Sequence, residues 1–258
     1  MNLNLEARVK YVSIQRRIQK LLEPNFNQEK FERQRAEYLI CSRPCCGRTW
    51  LRVMLGHVLR EKSKFELNRF NPQSLFYLHQ LDQALPSIKA THELFADVSS
   101  YADKNVILLV RDPRGALFSR TKKAIKRREN LTPRDFKNTF RDVKYLTEMI
   151  QFYNDWAEHQ TCAKSFIMLR YEDLVENTHQ ELYRVLDFMK LSPSRDALES
   201  AINNSTFDKM QKFDRRSFKF GSGKPGDFSN NLERDDLVWA EQYILNSLNP
   251  DYQYNYQS

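Results

Sequence analysis

Asn105–Val110 reads NVILLV. After its first residue the run presents no polar side chain, and it is rich in β-branched residues. A strand so uniformly apolar has to be covered on both faces, the condition of an inner strand in a parallel sheet flanked by helices. Two further segments fit the same sheet. Tyr38–Ser42 is a short apolar run that stops in a loop, Arg43-Pro44-Cys45-Cys46-Gly47. Beyond the loop, Trp50, Leu51, Met54, Leu55, Val58 and Leu59 recur at helical spacing. Ser165–Leu169 reads as another strand.

The intervening segments have helical patterns. Residues 5–22 read as a helix, and a basic helix starts near Arg114 after a break at Asp112-Pro113. Phe136, Phe140, Val143, Leu146, Ile150, Tyr153 and Ala157 share one face and predict a single long helix. Thr178-His179-Gln180-Glu181 has the spacing of a capping box ahead of Leu182, Val185, Leu186 and Met189. Strands alternating with helices predict an α/β three-layer sandwich with a central, mostly parallel sheet. With no repeat or linker, residues 1–258 read as a single domain, residues 1–35 forming an N-terminal helical extension. Ligands of such sheets bind at the carboxyl ends of the strands, and every motif below falls there.

Lys and Arg number 41 against 33 Asp and Glu, a net charge of +8. A basic excess implies an anionic partner: nucleic acid, a membrane surface or a phosphorylated small molecule. A mixed, soluble surface is the plainer alternative. No helix-turn-helix, zinc finger or aromatic RNA-binding motif is present, so a nucleic-acid partner is not expected. Neither a signal-peptide core nor an apolar run of about eighteen residues occurs, so no membrane partner and a cytoplasmic location are expected. Cys41, Cys45, Cys46 and Cys162 match no zinc spacing and no secretory framework, which implies no metal and a reducing compartment.

The loop after Tyr38–Ser42 is the first chemical candidate. A strand turning through a Gly-containing loop into a helix exposes backbone N–H groups, and the helix dipole adds positive potential. Gly47 permits close backbone approach, Arg48 adds charge and Thr49 a hydroxyl. Gly-Arg-Thr also echoes the Gly-Lys-Thr of a nucleotide-triphosphate P-loop. Ser42 stands where its first Gly belongs, however, and Arg48 where its Lys belongs. Asp112, after a strand, imitates a magnesium-holding carboxylate, so a small-molecule kinase stays open as an alternative.

Several segments in order resemble the sulfotransferases that use 3′-phosphoadenosine-5′-phosphosulfate (PAPS). SRPCCGRTWLRVML (42–55) is similar to their 5′-phosphosulfate loop, and KATHEL (89–94) to the Lys-Thr-His segment that carries the catalytic base. VRDPRGALFSR (110–120) resembles their 3′-phosphate motif, in which an Arg and a Ser eight residues later hold the phosphate. LRYEDL (169–174) resembles a strand-end Tyr-Glu-Asp-Leu, and FGSGKPGDFSNNL (220–232) a loop that closes over the cofactor. The resemblance spans roughly residues 38–232. It implies a P-loop-like phosphate-binding turn and a sulfonate transfer from PAPS to a hydroxyl or amine, leaving PAP, with no metal. Carried over residue by residue, His92 is the general base. The donor-binding set is Arg43, Pro44, Cys45, Cys46, Gly47, Arg48, Thr49, Trp50, Arg111, Ser119, Tyr171, Gly221, Ser222, Gly223 and Lys224. Trp50 reads either as an adenine platform or as a core aromatic.

The chain also departs from the pattern. Cys45 stands where the family has Lys or Arg, Cys46 where it has Ser, and Gly221 and Ser222 where it has Arg-Lys. Three explanations compete: neighbouring cations (Arg43, Arg48, Lys89, Lys219, Lys224) substitute, the chain binds PAP or PAPS but catalyses weakly, or Cys45 and Cys46 form a redox switch. Substitution by neighbours is favoured. The run Arg120, Lys122, Lys123, Lys126, Arg127, Arg128 reads as a solvated helix face or an anion-attracting one. The acceptor is expected to be a small molecule entering near His92. Glu93 and Asp97 hint at a cationic acceptor, and a homo-oligomer is compatible with the sequence.

Overall fold

A computed structural model of the chain describes residues 4–23, 25–95, 98–126, 133–213, 226, 228–229, 232–252 and 254. Its centre is a sheet of four strands: β1 (Tyr38–Cys41), β2 (Ile88–Thr91), β3 (Asn105–Val110) and β4 (Ser165–Arg170). They lie in the order β2-β1-β3-β4, and all three pairings are parallel, so the mostly parallel sheet expected from the sequence is wholly parallel among the described residues. All four residues of β1 and all six of β3 are buried, so both faces of the inner strands are covered. From β1 the chain crosses to β2 on one side, then returns past β1 to place β3 on the other. The reversal makes the carboxyl ends of β1 and β3 the walls of a topological switch point.

Two helices, α1 (Leu5–Leu22) and α2 (Gln28–Arg35), precede the sheet. After β1 comes α3 (Arg48–Lys62), whose Leu51, Met54, Leu55, Val58 and Leu59 are buried at the spacing read from the sequence. α4 (Leu75–Leu81) leads into β2, and α5 (Pro113–Lys126) follows β3. Pro113 opens α5, where its missing N–H costs nothing, and Asp112 Oδ1 accepts from Arg114 N at 2.9 Å.

The expected long helix over 136–157 is two helices, α6 (Pro133–Phe140) and α7 (Val143–His159). Asp142 causes the break: its Oδ1 accepts from Tyr145 N at 3.0 Å and so caps the start of α7. An apolar stripe continues across such a joint because the core stays on the same side. The capping-box reading is also corrected. After β4, α8 (Tyr171–Glu176) runs almost directly into α9 (Thr178–Phe188), with Asn177 between them. Thr178 therefore lies inside the helical path and its Oγ1 donates back to Leu174 O at 2.8 Å, while Glu181 pairs with Arg184 at 2.6 Å. α10 (Arg195–Asn203), α11 (Phe207–Phe213) and α12 (Arg234–Leu245) complete the described helices.

Candidate active site

Each strand stops immediately before a residue singled out by its chemistry. β1 ends at Cys41 before the Ser42–Gly47 loop, β2 at Thr91 before His92, β3 at Val110 before Arg111, and β4 at Arg170 before Tyr171. Parallel pairing brings these four ends to one edge of the sheet.

The loop is bent at two left-handed residues, Cys45 (φ 69°) and Gly47 (φ 89°). At Gly47 the conformation and the surroundings both demand glycine, because a Cβ would sit 2.5 Å from the Tyr171 ring. Among the described residues, no acceptor faces the backbone N–H groups of Cys45, Cys46, Gly47, Arg48 and Thr49. They form a group of amide donors at the head of a helix, a concavity suited to an anion.

Arg111 closes this turn from the β3 side. One terminal nitrogen, Nη1, donates to Cys45 O at 2.9 Å and to Ser119 Oγ at 3.1 Å, and the guanidinium lies 4.3 Å from the centre of the Tyr171 ring. Tyr171 also meets Trp50 edge to face, and the Trp50 indole N–H donates to Ser205 O at 2.8 Å. Trp50 is thus half-buried and anchored.

The scaffold beneath the turn comes from α7. Tyr153 accepts from Arg111 N at 2.8 Å, donates to Arg111 O at 3.0 Å and lies 3.5 Å from Cys46 Sγ. Tyr145 donates to Pro44 O at 2.7 Å. Tyr153 was legible only as part of a helical apolar stripe, and Tyr145 carried no signal. Cys46 is buried and burial pushes its thiol up to about 12, so it stays protonated and unreactive, against a redox pair with Cys45.

His92 sits at the other side of the loop. Its Nδ1 lies 2.8 Å from Ser42 O. A carbonyl only accepts, so Nδ1 carries the proton and Nε2 keeps its lone pair. Burial, then the charges of Arg48, Arg43 and Arg52, lower the imidazole to about 4, partly offset by the Ser42 bond. His92 is therefore neutral near pH 7, in a fixed tautomer whose basic nitrogen has no hydrogen-bond partner among the described residues.

Arg43 does not face the amide donors as a free cation. Its guanidinium holds Glu148 Oε2 at 2.6 Å and His92 O at 3.0 Å, and the residue is 7% exposed. A buried arginine needs a carboxylate partner, and Glu148 on α7 provides it. Lys89 likewise pairs with Glu29 at 2.8 Å and Glu32 at 2.7 Å. The alternation of β2 turns its side chain away from that of Ala90. Glu93 is paired with Arg33, which leaves the cationic-acceptor reading without that acid. Asp97, Lys219 and Gly221, Ser222, Gly223 and Lys224 lie outside the described residues. In the basic run, Arg120 reaches Asp142 at 3.4 Å and covers the Tyr145 ring.

Asp112, just ahead of α5, is bound by Arg114 of that helix at 2.7 Å, and Arg114 in turn pairs with Glu241. A carboxylate so engaged is poorly placed to hold a metal ion. Among the described residues no cluster of metal-ligating side chains occurs, and no helix is long and apolar enough to cross a membrane.

Comparison with known proteins bears on the same residues. No curated protein matches the chain by sequence. Retinol dehydratase, solved with androsterone and the inactive cofactor PAP, is similar at a TM-score of 0.57 and 16% identity, over 85% of this chain and 82% of that one. Mouse sulfotransferase SULT7A1, complexed with PAP, is similar at a TM-score of 0.58 and 15% identity, over 82% of this chain and 84% of its own. At such identities the likeness shows a shared fold. The family model described as "Sulfotransferase domain" matches residues 35–235, a span that starts where the N-terminal helices end and includes all four strand ends, and the chain belongs to that family.

Proposed function

We propose that this protein transfers a sulfonate group from PAPS to a hydroxyl or amine of a small-molecule acceptor, with His92 as general base. The observation that carries the reading is the Arg111 bridge: one guanidinium tied to the carbonyl of Cys45 and the hydroxyl of Ser119. It makes a second cationic position beside the amide donors of residues 45–49. An amide-donor position and a neighbouring guanidinium would suit a ligand with phosphates at both its 5′ and 3′ ends.

PAPS, when bound, supplies an activated sulfonate on a phosphate leaving group. The Cys45–Thr49 amides would hold the 5′ end, Arg111 and Ser119 the 3′-phosphate, and Trp50 and Tyr171 the adenine side. Gly221, Ser222, Gly223 and Lys224 are proposed to close over the donor. His92 Nε2 takes the acceptor's proton as the acceptor atom bonds to sulfur and the sulfur–oxygen bond to the nucleotide breaks, its electron pair leaving on the phosphate oxygen. The fixed tautomer supports this role, because the free nitrogen needs no prior deprotonation at neutral pH. Positioning and fixed positive charge supply the rest, as in phosphoryl transfer.

Retinol dehydratase has been solved with androsterone or with retinol beside PAP, which favours a small organic acceptor here. The four free cysteines suit a reducing compartment such as the cytoplasm. One domain over 1–258, with 1–35 as a helical extension, is the organisation proposed with this activity.

The kinase alternative is disfavoured by the engagement of Asp112 with Arg114. Calorimetric titration with PAP, set against ATP plus magnesium, separates the readings. Sub-millimolar PAP binding without ATP binding is expected, and preference for ATP would overturn the proposal. Labelled PAPS with a panel of phenols, alcohols and amines then tests turnover. A chain that binds PAP but labels none of them is a nucleotide-binding protein instead.

A further inference from the structure

We infer that Arg48 contacts the donated sulfonate and supplies the positive charge that Cys45 cannot. The inference rests on the sulfotransfer reading above and adds to it a residue with a stated task. Three of the neighbouring cations are described, and two of them are occupied. Arg43 holds Glu148 and Lys89 holds Glu29 and Glu32. Arg48 makes no hydrogen bond or ion pair among the described residues, and its Nη1 is sealed from solvent with no partner.

An unpaired buried guanidinium nitrogen is costly. It is understandable where an anion completes the site. Arg48 has the right position for that anion. It follows Gly47 directly and opens α3, at one end of the loop whose other end, Ser42, holds His92. Among the charges acting on His92, that of Arg48 weighs most. Arg48 and His92 are thus attached to opposite ends of the same six-residue loop, Ser42–Gly47, on which acceptor and sulfur would meet. Burial and the nearby Arg52 lower Arg48 to about 10, so it stays charged at neutral pH.

In the transfer, negative charge gathers on the oxygens of the passing sulfonate and on the phosphate oxygen that receives the electron pair. A fixed cation at that point stabilises both without moving. The same cation adds to the burial that keeps His92 unprotonated, so one side chain serves the donor and the base.

The test needs no acceptor. Calorimetry with PAPS and with PAP is run on the full-length chain, Arg48→Ala, Arg48→Lys and Arg48→Ala/Cys45→Lys, each checked for folding by circular dichroism. Arg48→Ala is expected to weaken PAPS binding about ten- to a hundredfold and PAP binding much less, since only PAPS carries the sulfonate. Arg48→Lys, and the double variant, should recover most of the loss. A second readout is the NMR titration of His92, which should move upward from about 4 in Arg48→Ala. If Arg48→Ala binds PAPS like the parent, or loses PAPS and PAP equally, the inference is wrong while the sulfotransfer reading stands. If the parent binds neither nucleotide, the sulfotransfer reading itself fails.

Discussion

Arg111 Nη1 and the carbonyl oxygen of Cys45 are 2.9 Å apart, although 66 positions separate the residues in sequence. The bond ties the end of β3 to the left-handed corner of the loop after β1. It also explains how a non-glycine residue is held at φ 69°, a conformation that costs roughly 1–2 kcal/mol.

Replacing Arg111 by alanine should lower PAP affinity about ten- to a hundredfold, the usual range for losing charged hydrogen bonds. Ser119→Ala removes one neutral partner, and a smaller loss of about fivefold is expected. Calorimetric titration with PAP measures both. Equal affinity in Arg111→Ala would place the 3′-phosphate elsewhere.

Gly47→Ala should destabilise the fold by about 2 kcal/mol or more, because a left-handed φ and a ring contact act together. The added Cβ would lie 2.5 Å from Tyr171 Cδ2. Thermal unfolding reads the change. Pairing it with Tyr171→Ala should restore part of the stability, which an effect of φ alone would not allow.

Tyr153→Phe removes a hydroxyl that both accepts from and donates to the backbone of Arg111. A loss of about 1–3 kcal/mol is expected from chemical denaturation, with weaker PAP binding as Arg111 loosens. Unchanged nucleotide affinity at reduced stability would limit Tyr153 to a core role.

The pH dependence follows from His92 and His57, both lowered to about 4, chiefly by burial. Between about 4 and their usual 6.5, the unfolded chain holds protons that the folded chain does not. Stability therefore rises with pH across that window, is complete above it, and is lost as pH falls. One fully shifted group contributes a slope of about 1.4 kcal/mol per pH unit, and half-exposed His57 contributes less. Turnover should stay level down to about pH 5 and fail near 4. A rate that already halves near pH 6.5 would show that His92 is not so depressed, or is not the base.

The inner strands were legible because a fully covered strand leaves an uninterrupted apolar signature, as in NVILLV. β2 was less so: Ile88-Lys89-Ala90-Thr91 is short and lies at the sheet edge, so its only mark was the KATHEL motif. Helical periodicity records which side faces the core but not where the axis bends, which is why Asp142 escaped notice as a cap. At the site, residue types showed where charge was needed. They did not show where it was already matched. Arg43, Lys89 and Arg48 look alike in sequence, and only direct pairing with carboxylates on α2 and α7 separates the first two from the third.

Because β1 lies between β2 and β3, His92 and Arg111 spring from strands two spacings apart, about 10 Å at the usual separation of hydrogen-bonded neighbours. That interval is a calliper whose jaws are set by main-chain bonds. Side-chain changes at the rim can alter how firmly a ligand is gripped, yet they cannot reset the gauge. Loops such as Cys45-Cys46 can therefore diverge widely while the separation between the His92 and Arg111 main chains stays the same.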